Sequence, residues 1–292
     1  MKRVIFSILA AAVVGSTASA QTPASTAASA PSSVNRSGAP VNVDGMIRRI
    51  AAKEVEFRKA LNEYSFKRDA VIQTIAFGGQ ISGEYHRVSR FVFDDSGRRY
   101  EKILRFPIPT ITAIQITPED LEDLGGVAAF ALESSKINDY NFSYVGKEKI
   151  DELDLHVFDV TPKILSDQRR LDALKKSKEP ERYFQGRIWV DDQDFQIVKA
   201  RGKGMPEVGE QRFVTFETYR EQVDGKYWFP TYAYADDELN FKSGESVRVR
   251  MKITFTDFER LRGKATVIEE GEPGVTDEKD KPATPPAPKP KP

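Results

Sequence analysis

Apolar and polar residues alternate along much of the chain, and the alternation is cleanest near its end. Val247, Val249, Met251, Ile253 and Phe255 fall on one side, and Arg248, Arg250, Lys252, Thr254 and Thr256 on the other. A period of two predicts a strand with one dry and one wet face. The stretch Tyr183–Lys203, YFQGRIWVDDQDFQIVKARGK, predicts a hairpin turning at Asp191–Asp194. In its first arm Phe184, Ile188 and Val190 share a face with Gly186, opposite Tyr183, Arg187 and Trp189. In its second arm Phe195, Ile197 and Lys199 alternate with Gln196, Val198 and Ala200. Large apolar groups on both faces predict that the hairpin is covered on two sides, by a helix or a ligand on one of them.

The same pattern recurs upstream. Tyr64–Phe77 and Ile81–Asp94 flank a Gly78-Gly79 turn, and Asp94–Gly97 leads into a third strand over Arg98–Phe106 that Pro107 and Pro109 stop. Tyr85, Arg87, Ser89, Phe91 and Phe93 share one face of the second of these. Strands are also predicted over Asn141–Lys149 and Leu153–Thr161, and over Gln211–Glu221 and Lys226–Tyr234 across Val223-Asp224-Gly225. About ten strands joined by short polar turns make a large antiparallel sheet that must curl or be covered.

Helical spacing appears in three places. Asp44 is the expected cap of a helix running to about Asn62, with Met46, Ile50, Phe57, Ala60, Leu61 and Tyr64 on a core-facing stripe. Lys53 falls within that stripe, as a snorkelling side chain or as a cation at a cavity mouth. Thr117-Pro118-Glu119-Asp120 starts a second helix, weakened by Gly125-Gly126 and followed by the small apolar run VAAFALE; it is a movable cover or a loosely packed core helix. Ser166–Pro180 is charged, helix-compatible and expected on the surface.

The ends change the picture. Lys2 and Arg3, an apolar run to about Val14 and Ala18-Ser19-Ala20 make an export signal cleaved after Ala20, which places the protein in the periplasm. Residues 21–43 form an Ala/Ser/Thr/Pro linker, 44–262 a single domain, and 263–292 an acidic, then Pro/Lys-rich tail, PATPPAPKPKP, of polyproline character. No second apolar run approaches spanning length. Cysteine is absent, which removes disulfides and thiol chemistry. The 44 basic residues equal the 44 acidic ones, so bulk charge attracts neither nucleic acid nor anionic lipid, and the Lys175–Lys178 run reads as a solvated face.

Candidate chemistry is sparse. His86 and His156 stand alone on strands and fit no metal-ligand spacing. No nucleophile elbow, P-loop or dinucleotide fingerprint occurs. Asp191-Asp192 and Asp236-Asp237 are expected in turns, solvated and at ordinary pKa. No catalytic residue, cofactor or metal is expected. What stands out is aromatic content on strands: most of it fills core, but a curled sheet with one apolar face is also how a protein encloses an apolar ligand. Phe91, Phe93, Phe184, Ile188, Val247, Val249, Met251, Ile253 and Phe255 are the candidate lining residues.

Two patches resemble a known family. VGKEKIDELDLHVFDVTPK (Val145–Lys163), with Gly146, Glu148, Ile150, Val157, Val160 and Pro162, and GRIWVDDQDFQIVKARGK (Gly186–Lys203), with Gly186, Ile188, Trp189, Val190 and Asp191, are similar to the periplasmic lipoprotein-carrier superfamily of LolA/RseB-like proteins. Leu153 stands where that family usually has glycine, and His156 where it often has an aromatic residue. The resemblance implies an α+β fold: a large antiparallel sheet curled into an unclosed half β-barrel, covered by the N-terminal helix and the inserted helix. It also implies an apolar cavity for acyl chains of lipids or lipoproteins and no catalytic residue. The expected function is a non-enzymatic carrier or sensor. The alternative is a structural or protein-interaction module with a filled core, which holds an envelope partner or the cell wall through its rim or tail.

Overall fold

The chain divides into two units, Met1–Val41 and Asn42–Pro292. The computed structural model describes residues 42–117, 120–121, 132, 135–177 and 181–261, all in the second. The export signal, most of the linker, the tail and the body of the inserted helix lie outside the described residues.

Helix α1 spans Val43–Leu61. Its cap is Asn42, not Asp44: the Asn42 side chain accepts from the Gly45 N–H at 2.9 Å. Asp44 sits in the first turn, where its charge suits the helix dipole. The buried stripe is the expected one with a substitution: Glu54, not Lys53, is the charged residue in the core. Lys53 stays half-exposed and pairs with Glu56 at 2.6 Å. Glu54 is enclosed at 3% exposure because Arg220 meets it from the sheet, at 2.6 and 3.0 Å in a bidentate pair. The same guanidinium lies 4.2 Å from the Phe57 ring centroid.

Ten strands follow: β1 (Tyr64–Ile75), β2 (Ile81–Phe93), β3 (Arg99–Arg105), β4 (Tyr140–Ile150), β5 (Leu153–Pro162), β6 (Tyr183–Asp191), β7 (Ile197–Met205), β8 (Phe216–Val223), β9 (Tyr227–Asn240) and β10 (Ser246–Arg260). They form one antiparallel sheet in the order β3-β2-β1-β10-β9-β8-β7-β6-β5-β4. Among the described residues no ladder joins β3 to β4, so the sheet is unclosed, as expected. Only the β1–β10 pairing is non-sequential, and it carries Tyr64 to Arg260. Gly78 and Gly79, both at φ +83°, turn β1 into β2. Asp224 and Gly225 at φ +53° and +67° are the central residues of the three-residue β8–β9 turn, with the Lys226 N–H donating to the Val223 carbonyl at 3.2 Å, and successive positive φ values suit the twist of a hairpin. Helix α2 (Gln168–Lys175), capped by Asp167, lies on the surface with no fully buried residue and only Leu174 partly packed against the core.

One sheet face holds the main core. Phe229 is fully buried there, 5.9 Å from Phe57 of α1 and 4.8 Å from Tyr64. The β6–β7 hairpin is buried on both sides: α1 reaches it on one, where Arg49 lies 3.6 Å from the Phe195 ring centroid, and side chains of the sheet itself pack together on the other. Trp189, Val198, Leu155 and Val157 form a small cluster of their own with Trp228 at its edge. The indole N–H of Trp189 donates to Glu148 at 2.9 Å, and the Lys199 amine sits 4.8 Å from its ring centroid. The expected alternation in the second arm fails at Val198. Trp189 pairs with Lys199 but Val190 pairs with Ile197, so one extra residue is accommodated between them. Such a bulge re-aims side chains: Ile197 joins the main core while Val198 and Lys199 face outward. Phe195 precedes the strand at φ +62°.

The acid pairs also differ from expectation. Asp191 is 6% exposed and accepts from the main-chain N–H groups of Gln193 and Asp194; burial raises its pKa. Asp236 and Asp237 lie within β9, which runs past the expected end. Asp236 is held below the usual carboxylate range by hydrogen bonds from Arg248 and Arg250.

Candidate functional site

A cleft of about 440 Å³ opens on the core face. Its floor is apolar and built by strands: Ile72 of β1, Val249 and Met251 of β10, Leu239 of β9 and Phe216 of β8. Its two lips are irregular segments. The first, Ala113–Thr117 with Asp120, exists because Pro107 and Pro109 end β3 and send the chain back over β2. Thr110 donates to the Glu84 carbonyl at 2.9 Å and accepts from the Glu84 N–H at 2.8 Å. Gly83 permits this crossing, since a Cβ there would stand 2.9 Å from the Ile111 Cα. Thr117 then caps as expected: its hydroxyl accepts from the Asp120 N–H at 3.2 Å while the Asp120 carboxylate accepts from the Thr117 N–H at 2.8 Å.

The second lip, Glu210–Val214, takes in the start of the expected strand Gln211–Glu221, which instead begins at Phe216. It departs from the sheet because its hydrogen bonds go to side chains instead: Phe213 N–H to Glu207 at 3.4 Å and Thr215 N–H to Asp237 at 2.7 Å. The Phe213 ring lies over Gly204, where a Cβ would meet it at 2.8 Å. Arg182 links the two lips, pairing with Asp120 at 2.8 Å and standing 5.3 Å from the Phe213 centroid. An apolar floor with few placed polar groups at its edge is the usual composition of a small-molecule pocket.

Of the nine candidate lining residues, Val249 and Met251 meet in this cleft. Phe184, Ile188, Ile253 and Phe255 are packed in the closed core. Phe91 stacks on Phe66 at 4.6 Å toward the β3 edge, Phe93 is partly exposed near the β2–β3 turn, and Val247 is partly buried against the core beside the cleft floor. Sequence reasoning missed Asp120, Arg182, Glu210, Arg212 and Phe213 as a group. Their segments are irregular, so no periodicity marks them, and only Thr117-Pro118 signalled a local structure.

The histidines are partnered by neighbours on the sheet. His86 Nε2 lies 2.9 Å from an Asp69 carboxylate oxygen. His156 Nδ1 lies 3.2 Å from the Tyr144 hydroxyl, and burial, with Lys147 nearby, pushes its pKa below the ordinary 6.5. The unfolded chain therefore takes up this proton at a higher pH than the folded one. Stability is retained above about pH 6.5 and is lost as pH falls through the depressed folded value. Thermal unfolding followed from about pH 7.5 to 5 should show that loss, and His156→Gln should flatten it. An unchanged slope in the variant would assign the loss to other groups. Among the described residues no group of three or more His, Asp or Glu is placed to hold a metal, and no helix is long and apolar enough to cross a membrane.

No family model and no curated protein matches the chain. Solved structures do. A LolA superfamily protein from Nitrosomonas europaea is 17% identical, with a TM-score of 0.34 over 74% of this chain and 94% of that one. A DUF1329 family protein from Desulfovibrio piger is 15% identical, with a TM-score of 0.38 over 75% and 92%. The Mycobacterium tuberculosis lipoprotein LppX is 10% identical, with a TM-score of 0.24 over 74% and 96%. The likeness carries no ligand or activity with it.

Proposed function

We propose that the protein is a non-enzymatic lipid- or lipoprotein-binding protein of the bacterial periplasm, a carrier or sensor, exported by cleavage after Ala20 and holding an acyl chain in the cleft. The observation that carries this reading is the cleft itself: about 440 Å³ over an apolar floor, inside the range of small-molecule pockets. Each methylene moved from water contributes about 0.8 kcal/mol. Some ten methylenes therefore supply the ~8 kcal/mol of micromolar binding before association costs are subtracted. Irregular lips, tied by side-chain bonds and not by ladders, suit a mouth that must admit a chain.

Native mass spectrometry of the protein, with organic extraction of whatever accompanies it, tests the reading first. Co-purifying lipid is the expected result. Val249→Lys places a charge on the floor and should abolish uptake of a fluorescent fatty acid. A clean apo mass together with no uptake by the unaltered protein would sink the proposal.

A second reading has its own support. Ile188, Met251 and Ile253 are fully buried, so most of the sheet's apolar face is filled by the chain's own side chains. In that case the protein is an interaction module, and deleting Pro282–Pro292 should release an envelope partner or the cell wall in a pull-down.

A further inference from the structure

Among the described residues four charged side chains stand on the cleft walls, and two of them neutralise each other: Arg182 and Asp120 pair at 2.8 Å. The other two are left. Arg212 is fixed by main-chain carbonyls. Its Nε donates to Asn240 at 2.6 Å, and its Nη1 to Gly209 at 3.1 Å and Gln211 at 2.7 Å. Its guanidinium carbon lies 5.9 Å from the Phe241 centroid. Among the described residues Nη2 has no hydrogen-bond partner and no carboxylate pairs with this cation. Glu210 follows Gly209, which sits at φ +59°. It is exposed on the lip, without hydrogen bond or ion pair among the described residues. A cation held in place by carbonyls cannot swing away to water, and a guanidinium is the side chain best suited to phosphate.

We propose that the cleft takes an acyl amphiphile with a zwitterionic headgroup, its phosphate on Arg212 and its ammonium on Glu210. The proposal rests on the acyl-chain reading above and adds the headgroup to it. A purely anionic head meets Arg212 but also the like charge of Glu210. An uncharged head leaves both groups without a partner. Only a head carrying both signs satisfies the two cleft-wall charges left unpaired among the described residues.

The test titrates the full chain with three probes of one acyl length, each below its micelle concentration: lysophosphatidylethanolamine, lysophosphatidylglycerol and a monoacylglycerol. The zwitterionic probe should bind about tenfold more tightly than the other two. Glu210→Gln should remove its advantage over the anionic probe. Arg212→Gln should bring both phospholipids down to the monoacylglycerol, while Arg212→Lys, which keeps the charge, should retain part of the preference and so separate charge from any loosening of the lip. Equal binding of all three probes, or a preference that survives both neutral variants, overturns the headgroup assignment and leaves the acyl-chain reading in place. Failure of every probe to bind overturns both.

Discussion

Glu54→Ala should lower the melting temperature by roughly 6–20 °C, the largest effect expected of any single truncation of a charged side chain here. The carboxylate and its partner Arg220 are 3% and 6% exposed, so removing one leaves the other charged in a dry site. Breaking such a pair costs about 3–5 kcal/mol, and a domain of this size loses roughly 2–4 °C per kcal/mol. Arg220 lies against Phe57 as well, so the loss also loosens the packing of α1 on β8. Two controls isolate the cause. Replacing both partners by apolar residues, Glu54→Leu with Arg220→Met, should recover most of the stability, because the penalty comes from the unpaired charge and not from missing attraction. Glu63→Ala, which removes the Arg260 pair that is about half-exposed on both sides, should leave thermal unfolding nearly unchanged, because an exposed pair is screened by water. If Glu54→Ala behaves like Glu63→Ala in thermal unfolding, the buried pair does not tie the helix to the sheet.

That pair also shows where the sequence was legible and where it was not. Strands whose apolar period is uninterrupted could be read directly: β10 has the expected faces, with Val249, Met251, Ile253 and Phe255 buried. Turns whose chemistry demands positive φ, at Gly78-Gly79 and Asp224-Gly225, were equally readable. Failures came where one residue's position depends on a distant partner. Sequence reading marks Lys53 as the charged residue of the apolar stripe and passes over Glu54, because the partner that lets Glu54 be buried, Arg220, is separated from it by 166 residues. An alternation count assigns Ile197 and Lys199 to one face because it cannot see the extra residue at Val198. The segment Gln211–Thr215 has strand-like composition, yet Glu207 and Asp237 capture its N–H groups. The cleft therefore escaped the pattern: of its five floor residues only Val249 and Met251 were among the candidates, and its lips follow tertiary bonds that no local period encodes.

Gly186→Ala should destabilise the protein by about 1–3 kcal/mol, and Gly186→Val by more, although glycine in a strand is ordinarily the weaker residue. Gly186 in β6 faces Gly202 in β7. A Cβ at Gly186 would press on the Arg201 carbonyl oxygen and stand 2.5 Å from the Gly202 Cα. These are main-chain atoms, which move only if the ladder moves. A Cβ at Gly202 would press on the Gln185 carbonyl oxygen and also meet the Phe184 ring at 2.6 Å, the ring that covers this glycine and reaches to within 6.3 Å of Phe216, on the cleft floor. The two positions thus differ in what must yield. Gly186→Ala forces the backbones apart, whereas Gly202→Ala also displaces Phe184 toward the cleft and should weaken acyl-chain uptake as well as stability. Because the two sites share one contact, the double variant should cost less than the sum of the singles. Thermal unfolding and fluorescent fatty-acid uptake measured on all three variants decide it. An additive double variant, or Gly202→Ala with wild-type uptake, would show that the close approach of β6 and β7 is not what holds Phe184 over the hairpin and beside the cleft.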